Sequence, residues 1–312
     1  MLPSNVQTRS IWAAFFANII FGFSFLFTKV SLALATPFVL LASRFFVAFL
    51  VLSLIMLLRR QPLSLKGKPW KLLLLLGLFH PVLYFIGETY GVLYTSSTFS
   101  AILIALIPIV SLWASALFLK ESPTKLQSLF CGLSVLGVMI ITVGSKGGQN
   151  RMLGVILLLF AVLADVSFNL LSRKISVSFT PLERTYVMFV MGFLVFFSLM
   201  LLESGGSLTP FLDAFANPLL RTSILYLGIA SSVFAFFLLN YANTFLPVTR
   251  TIVFVNVTTL VTVVGGVIFL REALTLSSFL AATMIVLGVW GVQRFADRSA
   301  PSSLSSELEE EV

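Results

Sequence analysis

Two short stripes of polar side chains stand out against an apolar background. His80, Tyr84 and Glu88 are spaced i, i+4 and i+8, and Asp165, Asn169 and Arg173 repeat that spacing. On a helix such spacing aligns all three members along one face. An imidazole, a phenol and a carboxylate on one face could bind a polar solute or carry protons. Asp165 deep in an apolar run is a carboxylate suited to reversible protonation. Plainer roles compete with these. His80 could be satisfied by a neighbouring helix, and Glu88 could reach the membrane interface. Asp165 could form a structural pair with Asn169, Ser167 or Lys29, and Arg173 reads best as a cytoplasmic anchor. His80 is the only histidine, and Pro81 follows it. A proline there removes a backbone hydrogen bond and can bend the helix, offering carbonyls to a cavity.

Other polar groups are candidates for the same cavity. Asn18 shares a stripe with Gly22, Phe25 and Lys29, while Asn240, Tyr241 and Asn256 could present amide and hydroxyl groups inward. Ser97 and Ser100 open a helix, where packing is the plainer role. Phe21 and Phe25 could make an aromatic wall. Lys29 and Arg44 could attract an anionic substrate or pair with Glu88. The simple alternative for Lys29 is snorkelling to the interface, and for Arg44 a structural ion pair. No cofactor or metal is expected. One histidine and one cysteine, Cys131, cannot build a His- or Cys-rich metal site, and no Walker-type glycine loop is present.

The elements that must position these groups follow from composition. Of 312 residues, 58% are hydrophobic and 10% charged, against about 25% charged in soluble domains. The mean hydropathy is +1.06. Lipid must be the main solvent, and helices are then the structure that satisfies the backbone. Apolar runs predict ten spans at 11–31, 36–58, 70–93, 97–119, 124–144, 152–172, 181–202, 221–245, 250–270 and 275–294. The first run is read as a retained helix. The segment 203–220 is predicted to be a loop with one amphipathic turn.

Lysine and arginine placement sets the orientation. With the N-terminus in the cytoplasm, one inner connection alone holds Arg59, Arg60, Lys66, Lys68 and Lys71. The outer face holds only Lys146, Arg151, Arg221 and Arg271. Both termini are therefore expected inside, in a multi-pass protein of the plasma (inner) membrane. The net charge of +8 fits this asymmetry better than nucleic-acid binding. The acidic tail, 295–312, is predicted to be disordered.

The chain also repeats itself. Phe118-Leu119-Lys120-Glu121 returns 151 residues later as Phe269-Leu270-Arg271-Glu272, and Val135-Leu136-Gly137-Val138 as Val286-Leu287-Gly288-Val289. The same offset pairs Tyr90 with Tyr241 and Gly77 with Gly228. Earlier in each copy the offset is 144, pairing Lys29 with Arg173 and Pro37 with Pro181. The repeats are read as 11–144 and 152–294. Five spans per repeat is an odd number, so the copies must be inverted, an architecture of many secondary transporters.

These residues resemble the drug/metabolite transporter superfamily, in particular tandem EamA-type domains. The likeness is carried by Phe21 to Phe25 running to Lys29, by Arg44-Phe45-Phe46 with Ala48, and by Tyr94-Thr95-Ser96. Pro108, the Phe-Leu-(Lys/Arg)-Glu ends and the Leu-Gly-Val helices complete it. The resemblance implies an all-α integral membrane fold: ten transmembrane helices as two inverted five-helix repeats around a central cavity. It also implies alternating access and export of amino acids, related metabolites or toxic compounds. The chain departs from the family twice. Thr259 answers Pro108, so the ninth helix should lack that kink, and Phe21 and Asp165 stand where tryptophan is common. The expected function is secondary active export of a small molecule, with protons as a candidate coupling ion and the lipid bilayer as the other partner. Exchange of phosphorylated sugars or nucleotides, a membrane-embedded lipid-modifying enzyme and a passive channel are the alternatives.

Overall fold

The structure is a computed structural model that describes residues 4–60, 66–119, 124–144, 151–246, 251, 254–272 and 275–295. Among them every regular element is helical. α1 (Ser4–Leu32) and α2 (Pro37–Arg59) are unbroken. Thr36 caps α2 by accepting from the Val39 amide, with Pro37 at the first helical position. Both residues suit a helix start.

The third span is broken. It comprises α3 (Trp70–Gly77) and α4 (Tyr84–Tyr94), joined by a π-type turn at Leu78–Leu83. His80 leaves the helical region, with φ −142° and ψ 113°. Such extended values are what a following proline favours, because its ring crowds the residue before it. α5 (Ser97–Ile104) and α6 (Ile107–Leu119) follow, with Pro108 in the first turn of α6. α7 (Lys125–Gly144) and α8 (Arg151–Ile175) lead to α9 (Pro181–Glu203). α9 opens as α2 does, with Thr180 as cap and Pro181 first, and Glu183 closes a capping box.

The segment expected to hold one amphipathic turn instead forms α10 (Thr209–Ala216). Phe211 and Ala214 are its buried side, and Phe211 packs edge-on against Phe46 and Phe197 at 5.5 and 5.6 Å. α11 (Pro218–Leu225) and α12 (Phe236–Phe245) are joined by a second π-type turn, Tyr226–Ala235. It falls at the place the 151-residue offset assigns to the first. α13 (Val255–Phe269) runs unbroken past Thr259, and α14 (Leu276–Arg294) is the last helix. Among the described residues six helical segments are long and apolar enough to cross a membrane: Val6–Leu32, Pro37–Arg59, Trp70–Tyr94, Met152–Ile175, Pro181–Glu203 and Pro218–Phe245. Ser97–Ser111, Val255–Phe269 and Leu276–Gly291 are shorter apolar helices. Of the expected acidic tail, 295–312, all but Phe295 lies outside the described residues, as do Lys120 and Glu121.

Packing interleaves the two halves of the sequence. α2 lies along α9 and α7 along α14, while α1 packs on α12 and α13 and α8 packs on α4. Phe45 ties three helices together, 5.2 Å from Phe85 and 5.4 Å from both Phe189 and Phe196. Gly22 lets α1 approach α13 closely. A Cβ there would lie 2.5 Å from that of Val261, and the Gly22 carbonyl accepts from Thr262 Oγ1 at 2.8 Å.

Charged side chains finish the broken helices. Lys29 Nζ donates to the Val92 and Thr95 carbonyls at 2.9 and 2.8 Å, at the C-terminus of α4. Arg173 donates to the Asn243 and Thr244 carbonyls at the C-terminus of α12. A cation suits both the open carbonyls and the negative end of the helix dipole. Lys29 and Arg173 thus each spend their charge on a helix end, a role the sequence did not show. Glu272 does the converse at the N-terminus of α5. Its Oε1 accepts from the Ser97 amide at 3.0 Å and hydroxyl at 2.7 Å, and its Oε2 from the Thr98 amide at 3.0 Å.

Candidate functional site

The broken helices converge on a cavity between α1, α2, α4, α8, α12 and α13. Centres of water-sized molecules can occupy about 60 Å³ of it. At about 10–15 Å³ per water, that is room for several waters or one small solute.

All three members of the first stripe line this cavity. The His80 ring stacks on Tyr84 with centroids 4.2 Å apart. Its Nε2 lies 3.7 Å from Asp165 Oδ1, a contact between distant parts of the chain, while Nδ1 is sealed in without a partner among the described residues. Glu88 is buried, and its Oε2 accepts from Thr89 Oγ1 at 3.1 Å. From the second stripe, Asp165 and Asn169 reach the cavity. Asn169 Nδ2 donates to Asp165 Oδ2 at 2.7 Å, and its Oδ1 accepts from Asn243 at 3.1 Å. Asn18 also lines the cavity; its Oδ1 accepts from Thr258 Oγ1 at 2.9 Å. Phe21 and Phe25 form part of the wall, and Phe21 meets Phe236 at 5.0 Å.

Asn240 sits elsewhere. It is fully buried, with Oδ1 accepting from Ser172 at 2.9 Å and Nδ2 donating to Thr185 at 3.0 Å. Its carbonyl accepts from Arg184 at 2.8 Å. Phe236 and Leu239 are the α12 residues that line the cavity. One step beyond Leu239 turns a side chain by about 100°, which points Asn240 into the Arg184 network. Tyr241 pairs with Phe245 at 4.9 Å, and neither it nor Asn256 is among the lining residues.

Arg44 is the residue whose role the sequence understated. It is 2% exposed and lines the cavity. Its Nε donates to Ser232 Oγ at 2.8 Å and its Nη2 to Ser231 Oγ at 2.9 Å. Ser24 also donates to Ser231, at 2.7 Å, and the guanidinium carbon lies 4.2 Å from the centroid of the Phe85 ring. The ion pair expected for Arg44 is not formed: no carboxylate oxygen of a described residue lies within 4.0 Å of it. A signal for its partners did exist. The 151-residue offset pairs His80-Pro81 with Ser231-Ser232, so both π-type turns bring polar groups to one place. Among the described residues no three His, Cys, Asp or Glu side chains converge as metal ligands would.

Comparison with known proteins agrees with this architecture. The model of the EamA-like transporter family matches the chain twice, over residues 8–143 and 152–294. The uncharacterized transporter YcxC of Bacillus subtilis (strain 168) is 35% identical over 294 residues, covering 93% of this chain and 94% of its own. An uncharacterized transporter of Archaeoglobus fulgidus is 25% identical over 276 residues, with 88% and 94% covered. One solved crystal structure superposes with a TM-score of 0.67 at 16% identity, covering 94% of this chain and 99% of its own. At that identity the likeness concerns the fold alone.

Proposed function

Because this chain belongs to the EamA-like transporter family, we propose that it is a secondary active transporter exporting small metabolites, such as amino acids, across the plasma membrane. Ten helices in two inverted five-helix repeats, 11–144 and 152–294, would work by alternating access, with both termini cytoplasmic. Support for the repeat comes from paired positions with paired roles, such as Lys29 and Arg173 at the ends of α4 and α12, and an odd number of spans per repeat makes it inverted. Support for the orientation comes from the lysine and arginine asymmetry.

The observation that carries the reading is that polar contacts in the cavity join the two halves. His80 faces Asp165 at 3.7 Å, and Arg44 donates to Ser231 and Ser232. Rocking one half against the other must break and remake these contacts, so a bound solute would be read by both halves at once. His80, Tyr84, Glu88, Asp165, Asn169 and Asn18 are the proposed substrate or proton contacts. Exchange of phosphorylated solutes finds less support, since Arg44 is the one lysine or arginine among the lining residues.

The test is counterflow. Proteoliposomes preloaded with a mixture of metabolites are scored by mass spectrometry at two internal pH values. Saturable exchange of one class of compound is the expected result. No exchange by verified, inserted protein overturns the carrier reading.

A further inference from the structure

The cavity holds opposite charges that do not meet. Arg44 is fixed by Ser231 and Ser232 and lies over Phe85, but these neighbours leave its charge uncompensated. Its Nη1 makes no hydrogen bond among the described residues and is not one of the sealed, unpartnered atoms. It is therefore a free donor on a residue that lines the cavity. Glu88 mirrors this state. Oε2 accepts from Thr89, while Oε1 has no hydrogen-bond partner among the described residues and is likewise not sealed. Both residues are nine-tenths or more buried, at 2% and 3% exposure. Both line one cavity, yet they are not within 4.0 Å of each other.

Buried ions are expensive without a partner, and in membrane proteins they persist mainly where function needs them. A cation and an anion in one cavity would normally close on each other. Here the serines hold the guanidinium from one side, and aromatic rings form part of the cavity lining. Such a split pair leaves one donor and one acceptor of opposite charge unfilled, and Phe21, Phe25 and Phe236 add apolar surface to the same cavity lining.

We propose that Arg44 and Glu88 are a split ion pair that sets substrate charge: Arg44 takes an acidic group and Glu88 an amine of one dipolar solute. This rests on the carrier reading above. A guanidinium fork suits a carboxylate, and its open Nη1 supplies the donor. Asp165 lines the same cavity but is engaged by Asn169 and faced by His80. It is the second carboxylate rather than the first contact for the amine.

The experiment uses three probes of matched size in proteoliposome counterflow, within a wider mixture of acids, amines and dipolar compounds. They are phenylalanine, its deaminated acid phenylpropionate and its decarboxylated amine phenethylamine. Wild-type protein is expected to exchange dipolar compounds at least about tenfold faster than matched acids or amines. Arg44→Gln should lose that preference and favour amines, and Glu88→Gln should favour acids. Retained exchange of the singly charged class shows that each variant is folded. Arg44→Lys keeps the charge without the fork and should keep the wild-type order at lower affinity. Wild-type preference for singly charged or neutral compounds overturns the assignment. So does an equal loss of all classes in both glutamine variants while Arg44→Lys exchanges normally. Absence of any exchange in the wild type overturns the carrier reading itself, which the other two results leave standing.

Discussion

Asp165 is the carboxylate we propose to carry the coupled proton. Asn169 donates to Oδ2, His80 Nε2 stands 3.7 Å from Oδ1, and Tyr84 and Glu88 line the same cavity. Asparagine at 165 would keep the shape and lose the charge. If Asp165 carries the coupled proton, Asp165→Asn should lower uptake driven by a pH gradient about tenfold or more, the effect of about 1.4 kcal/mol on a barrier. Exchange without a gradient should survive. An unchanged response to the gradient would assign proton movement elsewhere. At this scale helical spacing places Tyr84 and Glu88 on one face of α4. It does not carry across the break at His80, which the turn at Leu78–Leu83 nonetheless brings to the same cavity. It failed at Asn240, since a face cannot be chosen without knowing which neighbours flank it. It also understated Arg44, whose serine partners lie 187 and 188 residues away.

Helix ends are the element-scale device. Glu272 closes two amides and a hydroxyl at the start of α5, from the far half of the chain. Burial alone would raise its carboxyl above the ordinary 4.5, but hydrogen bonds from Thr98 and Ser97 outweigh burial and hold it below that value. A group depressed in the folded state stabilises fully above its unfolded value, and that contribution is lost as pH falls through the folded one. The cap should therefore hold at neutral pH and weaken only below about 4.5. Thermal unfolding in detergent should show Glu272→Ala less stable at pH 7 by about 1–2 kcal/mol, as for other lost caps. The difference should shrink in acid. A constant gap between wild type and variant at pH 7 and in acid would mean that the carboxylate charge is not what holds α5. The sequence flagged this residue through its repeated Phe-Leu-(Lys/Arg)-Glu motif, and Lys29 and Arg173 through the 144-residue offset. It did not give their roles, because a motif names a side chain and not the helix end it reaches.

Across the whole molecule, the repeated Leu-Gly-Val segments turn out to be two sides of one seam. α7 and α14 pack along their lengths. A Cβ on Gly137 would meet the Ala281 carbonyl oxygen at 3.0 Å, and one on Gly288 would meet Ser134 Oγ at 1.9 Å and the Phe130 carbonyl oxygen at 2.6 Å. With little hydrophobic drive between helices in lipid, close backbone approach through small residues supplies the attraction. The offset of 151 carries Gly137 to Gly288, Ser134 to Ile285 and Phe130 to Ala281. One motif thus makes both faces of its own contact. Periodicity alone showed small residues within apolar runs, and their partner became visible only with the fold. Gly132, on the same helix, has no atom within 4 Å of its would-be Cβ. The same substitution should therefore act in opposite directions at the two sites. Gly288→Ala must push on backbone and should cost about 1–3 kcal/mol, as overpacking does. Gly132→Ala should gain about 0.4–1 kcal/mol by restricting the unfolded chain. Thermal unfolding of the purified pair in one detergent decides it. If both variants shift the same way, helix propensity governs these positions, and α7 and α14 are not held by close approach at Gly288.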